Sequence, residues 1–270
     1  SRYSTLTLDD GAVLRNCKSQ HYDGGAAGLY TSTSEFVMNG TARMEDNEAD
    51  YGGGVYIGNI LASFTMNGGT ITGNTATHTG SETGGGVYVA QDGIFTVSGA
   101  AKITDNKRNE ENNNVYLRPE TITITGALDR DASIGVTTPS VAVVGSPVTI
   151  AKGDGYTLTD DDAARFTSDA GYYPELDGTE VKLYRNPPQK HPICGKTCTH
   201  DEKHPDLVWE GITDLADATK AGNYYLMESV TRPEKTGPLF CNNDVKLCLN
   251  DHSITAAHDS CTIMVNDGAD

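Results

Sequence analysis

The chain is short of positive charge, of tryptophan and of long apolar runs, and each shortage excludes something. Its 20 Lys and Arg stand against 37 Asp and Glu, a formal net charge of −17 at pH 7. That deficit argues against nucleic acid and anionic membrane as partners, because both require basic patches. No stretch approaches the ~20 consecutive apolar residues of a membrane-spanning helix, and no secretory signal is visible. There is no Gly-x-Ser-x-Gly elbow, phosphate-binding loop or His-Glu-x-x-His pair. What the chain has instead is 30 glycines and one Trp. That balance suits a protein of short strands and tight turns better than a helical domain.

One pattern recurs along the first half. Gly54-Val55-Tyr56, Gly86-Val87-Tyr88 and the looser Gly28-Leu29-Tyr30 and Asn114-Val115-Tyr116 open successive copies. Each copy continues with Phe36, Phe64, Phe95 or Ile122, then an apolar residue (Met44, Ile71, Ile103), then Asn47, Asn74 or Asn106. The opening of the chain carries the tail of an earlier copy, with Leu6, Val13 and Asn16 matching Phe64, Ile71 and Asn74. Self-similarity at a period of roughly 20–50 residues marks a stacked solenoid. The short alternating runs make it a β-solenoid, with Gly, Asn and Asp supplying corners of positive φ. Stacking at about 4.8 Å per rung predicts an internal phenylalanine ladder (Phe36, Phe64, Phe95) and an aliphatic one (Leu29, Val55, Val87, Val115). Asn16, Asn47, Asn74 and Asn106 are expected to stack at a turn, either as a hydrogen-bonded ladder or as simple turn formers.

Gly52-Gly53-Gly54-Val55 with Phe64-Thr65-Met66-Asn67, and Gly84-Gly85-Gly86-Val87 with Phe95-Thr96-Val97-Ser98, carry a resemblance. The pairing of Gly-Gly-aliphatic with Phe-x-x-Asn resembles the right-handed parallel β-helix repeats of bacterial surface proteins, including polymorphic outer-membrane and autotransporter-type adhesins. It covers about residues 4–126, departs at Ser98, and in the last copy replaces the glycines with Asn112-Asn113-Asn114. It implies the fold strongly and the ligand weakly, since such repeats serve adhesins and enzymes alike.

Four segments are expected: β-helix repeats over 1–126, a β-rich capping region over 127–186, a linker with a Cys/His knuckle over 187–209, and the start of a second β-helix over 210–270. In the capping region, Asp160-Asp161-Asp162 opens a short helix under a Thr or Asp cap; the alternative is a Ca²⁺ site. Glu175–Leu183 reads as a hairpin around Asp177-Gly178. The knuckle has the sequence Cys194-x₃-Cys198-x-His200-x₃-His204, with His191 as an alternative ligand. Two thiolates and two imidazoles suit tetrahedral, structural Zn²⁺; a Cys194–Cys198 disulfide is the competing reading. The stretch 191–209, including Trp209, resembles a short Cys/His module between β-helix regions of secreted proteins from Gram-positive gut bacteria. Cys241, Cys248 and Cys261 read as small buried hydrophobes; with Cys17 they make four cysteines outside the knuckle, and a Cys241–Cys248 bridge stays open.

The whole pattern reads as all-β and as a processed or excised piece of a longer extracellular or cell-surface bacterial protein. Its expected role is non-enzymatic, a stalk or adhesin binding a glycan or host protein. Tyr30, Tyr56, Tyr88 and Tyr116 are its candidate ligand-binding residues, because strand alternation turns them outward if the neighbouring aliphatics point in. The alternative is a carbohydrate-active β-helix enzyme. Asp46 and Asp105, with Glu45, Arg43 and Lys102 nearby, are the acids that alternative would use.

Overall fold

The structure is a computed structural model that describes residues 4–19, 23–80, 82–190, 207–232, 239–241, 243–256 and 263–265. The knuckle ligands Cys194, Cys198, His200 and His204, the alternative ligand His191, and Cys261 lie outside the described residues. Among the described residues helix is confined to one turn of α-helix, Asp160–Ala163, and a 3₁₀ turn, Leu215–Asp217. Among the described residues no helix is long and apolar enough to cross a membrane. The chain forms two compact units, one from Ser1–Val141 with Val148–Leu183 and one from Ala142–Pro147 with Tyr184–Asp270.

The first unit is a parallel β-solenoid of about six turns. A full turn uses four short strands, for example Ser34–Met38, Arg43–Glu45, Glu48–Ala49 and Val55–Ile57. Alternation within each strand decides what enters the core. In Val55–Ile57 and its neighbours the outer positions are buried and the middle residue faces away. Leu6, Phe36, Phe64 and Phe95 are register partners in successive turns. The Phe36–Phe64 and Phe64–Phe95 rings stack at 4.8 and 5.1 Å and are fully buried. Each buried ring contributes about 1.5–3 kcal/mol from area alone, and each stacked pair roughly 0.5–1.5 kcal/mol more. Leu14, Met44, Ile71, Ile103 and Ile134 form a second column.

Two register expectations are corrected. Leu29 pairs with Ile57, not Val55; the residue beneath Val55 is Ala27. At the chain's opening, Leu14 and Cys17, rather than Val13 and Asn16, occupy the positions of Ile71 and Asn74. The reason is a corner. Between Met66 and Thr70 the chain crosses on three residues, where Met38 and Arg43 are separated by four. Gly68 and Gly69, both with positive φ, close this shorter corner. Matching the opening copy to that shortened turn displaces its later residues by one.

Asn16 belongs instead to a column of left-handed residues with Asp46, Gly73 and Asp105, at φ 56°, 54°, 67° and 60°. Asn, Asp and Gly are the residue types that tolerate this conformation. The next position inward carries the buried ladder. The Asn47 backbone N–H and Nδ2 both donate to Asn74 Oδ1, at 3.0 and 2.8 Å. Asn74 repeats this pattern on Asn106, and Asn106 on Asn114. The asparagines therefore form a ladder and not merely turns. Asn114 comes from the copy in which asparagines replace glycines, and its amide fills the place the next turn's asparagine would take. Gly135 leaves room for it, since a Cβ there would sit 2.3 Å from Asn114 Nδ2. Asp169 ends the series, accepting from the Asn114 N–H at 2.8 Å and Nδ2 at 2.6 Å and from Thr137 Oγ1 at 2.8 Å.

A second ladder of the opposite sense runs along the corner after the phenylalanines. Ser98 donates to Asn67, Asn67 to Asn39, and Asn39 to Asp9 Oδ1. This is the Asn of Phe-x-x-Asn, and Ser98 supplies the donor in its copy. Both ladders end on a carboxylate, which accepts without needing to donate.

The glycine triplets answer to close approach. A Cβ on Gly53 would lie 2.5 Å from the carbonyl oxygens of Gly85 and Thr75, and one on Gly85 2.3 Å from that of Lys107. Beyond Leu128 the turn simplifies. Ser133–Thr137 pairs with both Lys102–Thr104 and Val115–Leu117, joining two faces in one strand. Val148–Gly153 adds a last parallel rung, and Glu180–Tyr184 then lies antiparallel to it. The short helix is capped by Thr159 in a reciprocal capping box with Asp162. Both Asp162 oxygens are engaged, by the Leu128 N–H and by Tyr156 and Thr159, as a cap and not a calcium ligand.

In the second unit, Trp209–Ile212, Gly222–Leu226 and Val245–Cys248 pair in parallel, and Pro188–Gln189 joins antiparallel. Ile212, Leu215, Ala218, Tyr224 and Leu226 form its core, with Val144 and Leu247 against it.

Candidate functional site

The tyrosine face is built from the strand centred on each Tyr. Tyr56, Tyr88 and Tyr116 are register partners. Tyr30 is not: Gly28 holds that position, and Tyr30 stands two residues later. Its ring folds back over Gly28, where an added Cβ would meet Tyr30 Cε2 at 2.6 Å, and so reaches 5.5 Å from the Tyr56 ring at 42°. Tyr56–Tyr88 and Tyr88–Tyr116 stack at 5.3 and 5.7 Å with interplanar angles of 14° and 2°.

The four rings therefore make a continuous stack along the turns, but not an outward platform. Tyr88 and Tyr116 are only 3% and 2% exposed, whereas Tyr30 is 43% exposed. Stacking turns ring faces toward neighbouring rings, so what the ladder offers outward is edges and phenol oxygens.

Sequence reasoning missed the residues that surround this stack. Tyr51 packs edge-on to Tyr88 at 5.6 Å, and the His78 ring lies 4.4 Å from Tyr51, with Tyr51 Oη 2.9 Å from His78 Nε2. Thr77–Gly80 belongs to a stretch between Ala76 and Val87 that is five residues longer than its counterpart between Ala49 and Val55. The long step from Tyr56 to Tyr88 was the available signal. Arg118 bridges to Glu82 at 3.0 Å beside Tyr88. Burial, helped by the Asp23 carboxylate, pushes the Tyr56 phenol up to about 12; burial and Glu82 do the same for Tyr116. Both stay neutral donors. Asp23 is itself raised, first by burial and then by Asp50, against the opposing pull of His78 and the Tyr56 hydroxyl. The arrangement offers neutral hydroxyls, an imidazole and carboxylates to a ligand.

The candidate catalytic acids are placed apart. Asp46, Gly73 and Asp105 follow one another in the left-handed column, so Gly73 separates the backbones of the two acids by about two rung spacings, roughly 10 Å, and the Asp46 carboxylate leans over Gly73, where an added Cβ would meet its Oδ1 at 2.5 Å. Asp46 and Asp105 are exposed; Arg43 pairs with Glu45 at 3.2 Å, and Thr104 donates to Asp105. Lys102 is exposed on the strand beside them. Cys17 is half-buried and Cys248 buried. Among the described residues no group of three or more His, Cys, Asp or Glu is arranged to hold a metal ion.

Comparison with protein-family models, with curated proteins and with solved structures finds no match to this chain.

Proposed function

We propose that the chain is a non-enzymatic stalk and binding segment of a secreted or cell-surface bacterial protein of the adhesin kind. In this reading its solenoid coils in the right-handed sense usual for parallel crossovers, and its partner is a glycan or a host surface protein. The observation that supports it is how the polar side chains of the solenoid are used. Asn47, Asn74, Asn106 and Asn114 are consumed in a buried ladder, and Asp46 and Asp105 occupy exposed corners that the backbone conformation demands. Tyr30 and Tyr56, at the accessible end of the ring stack, are the binding residues of the tyrosine face in this reading. Cys194, Cys198, His200 and His204 hold a structural Zn²⁺ in this reading.

The test pairs binding with turnover. The full chain is applied to glycan and extracellular-matrix protein arrays and, in parallel, incubated with plant and host polysaccharides while reducing ends are measured. Array binding that weakens in Tyr56→Ala, with no release of reducing ends, is the expected outcome. Release of reducing ends that is lost in Asp46→Asn or Asp105→Asn would replace this reading with the enzyme alternative.

A further inference from the structure

The second unit contains an open cavity of about 480 Å³ that the tyrosine face does not explain. One wall is Trp209, the only tryptophan in the chain. The turn that follows Val245–Cys248, from Leu249 through Asn250 and Asp251 to His252, also lines it. Asn250 and Asp251 are consecutive non-glycine residues in the left-handed region, at φ 50° and 63°. The turn is held in this shape: His252 N–H donates to Leu249 O at 2.8 Å, and Asn250 Nδ2 donates to Leu226 O of the preceding turn at 3.0 Å.

The chemistry of the walls is specific. Strand alternation puts Trp209 on the opposite side from Glu210 and Ile212, which are buried, and the Trp209 side chain is half-buried. Among the described residues neither its N–H nor its ring face meets a hydrogen-bond partner or another ring, and the His252 imidazole is likewise without a side-chain partner. An indole plane beside an imidazole, an amide and a carboxylate matches a pyranose. The sugar's C–H face lies on the ring while its hydroxyls reach the polar groups of the turn.

We infer that the Trp209–His252 cavity is a binding site for a neutral saccharide ring. The idea rests on the binding role proposed above but places the contact at a different site from the tyrosine face, and the test separates the two. Because Trp209 is the sole tryptophan, emission excited at the indole band reports this cavity alone. The full chain is titrated with the methyl glycosides of glucose, galactose and N-acetylglucosamine and with their β-linked oligosaccharides. A saturable emission change is expected for at least one of these probes. His252→Ala, at a turn outside the core, should weaken that binding about tenfold, the loss of one hydrogen bond. Trp209→Ala, followed by calorimetry because the fluorophore is gone, should abolish it. Array binding by the whole chain with no response of Trp209 to any of these sugars would overturn the site while leaving the proposed role standing. Absence of both would remove the two together, and an emission change unaffected by His252→Ala would also overturn the assigned wall.

Discussion

Replacing Asn74 by Ala measures what the internal ladder contributes. Asn74 is fully buried. Its Oδ1 is the acceptor for the Asn47 N–H and for one Asn47 Nδ2 hydrogen, and its own Nδ2 donates to Asn106 Oδ1, Met44 O and Thr72 O. The alanine leaves two buried donors of Asn47 without their acceptor. At about 1–3 kcal/mol per orphaned group the loss is about 4 kcal/mol. For a unit of this size that lowers its melting temperature by roughly 8–16 °C. Asn16→Ala is the control. Asn16 is exposed and has positive φ but lies outside the ladder, so the change strains only the backbone, at about 1 kcal/mol. Far-UV circular dichroism in a urea series follows the solenoid, and Trp209 fluorescence follows the second unit of the same molecule. The expected result is a large shift of the first transition for Asn74→Ala, a small one for Asn16→Ala, and an unmoved Trp209 transition in both. Equal, small shifts for the two variants would refute the ladder argument, because the asparagines would then matter only as corner residues.

Other consequences can be tested in the same preparations. Asp169→Ala uncaps the ladder by orphaning the Asn114 N–H and Nδ2, and should cost about 2–4 kcal/mol in the same urea series although Asp169 stands 55 residues away. The two units should respond oppositely to acid. Burial alone would raise Asp162, but hydrogen bonds from Leu128, Thr159 and Tyr156 outweigh it and lower the carboxyl below its ordinary 3.8, so its contribution is complete above that value and lost as pH falls through the folded one. Glu210 is raised above its ordinary 4.5, first by burial and despite N–H donors from Gly145, Asn186 and Arg185, so its contribution is complete below 4.5 and lost as pH rises through the folded value. Melting followed by Trp209 between pH 3.5 and 7 should show that loss, and Glu210→Gln should flatten it. Purified without chelator, the chain should carry about one equivalent of zinc that Cys198→Ser removes; elemental analysis finding none, with mass spectrometry showing Cys194 linked to Cys198, would assign the segment to a disulfide.

Much of the solenoid was legible because its repeat is physical: one side chain above another every rung makes Phe36, Phe64 and Phe95 recur, and close backbone packing makes Gly53 and Gly85 recur. What the sequence could not determine was register wherever copies differ in length. The Gly68-Gly69 corner is one residue short, and that slip hid Cys17 in the ladder position and gave Asn16 a role it does not have. Tyr30 looked equivalent to Tyr56 because it follows the same Gly-aliphatic pair, but strand pairing puts Gly28 there and the ring reaches back across it. Exposure was equally beyond the pattern. Alternation turns Tyr88 and Tyr116 out of the core, and only the stacking of neighbouring rings and the folding of Tyr51 and Arg118 beside them bury those tyrosines. The end of the buried asparagine ladder was hidden for a different reason: Asp169 and Asn114 meet across 55 residues of chain, a distance over which no local periodicity carries information. The repeat determined that side chains would stack; tertiary pairing decided which ones, where each stack ends, and which surfaces remain open.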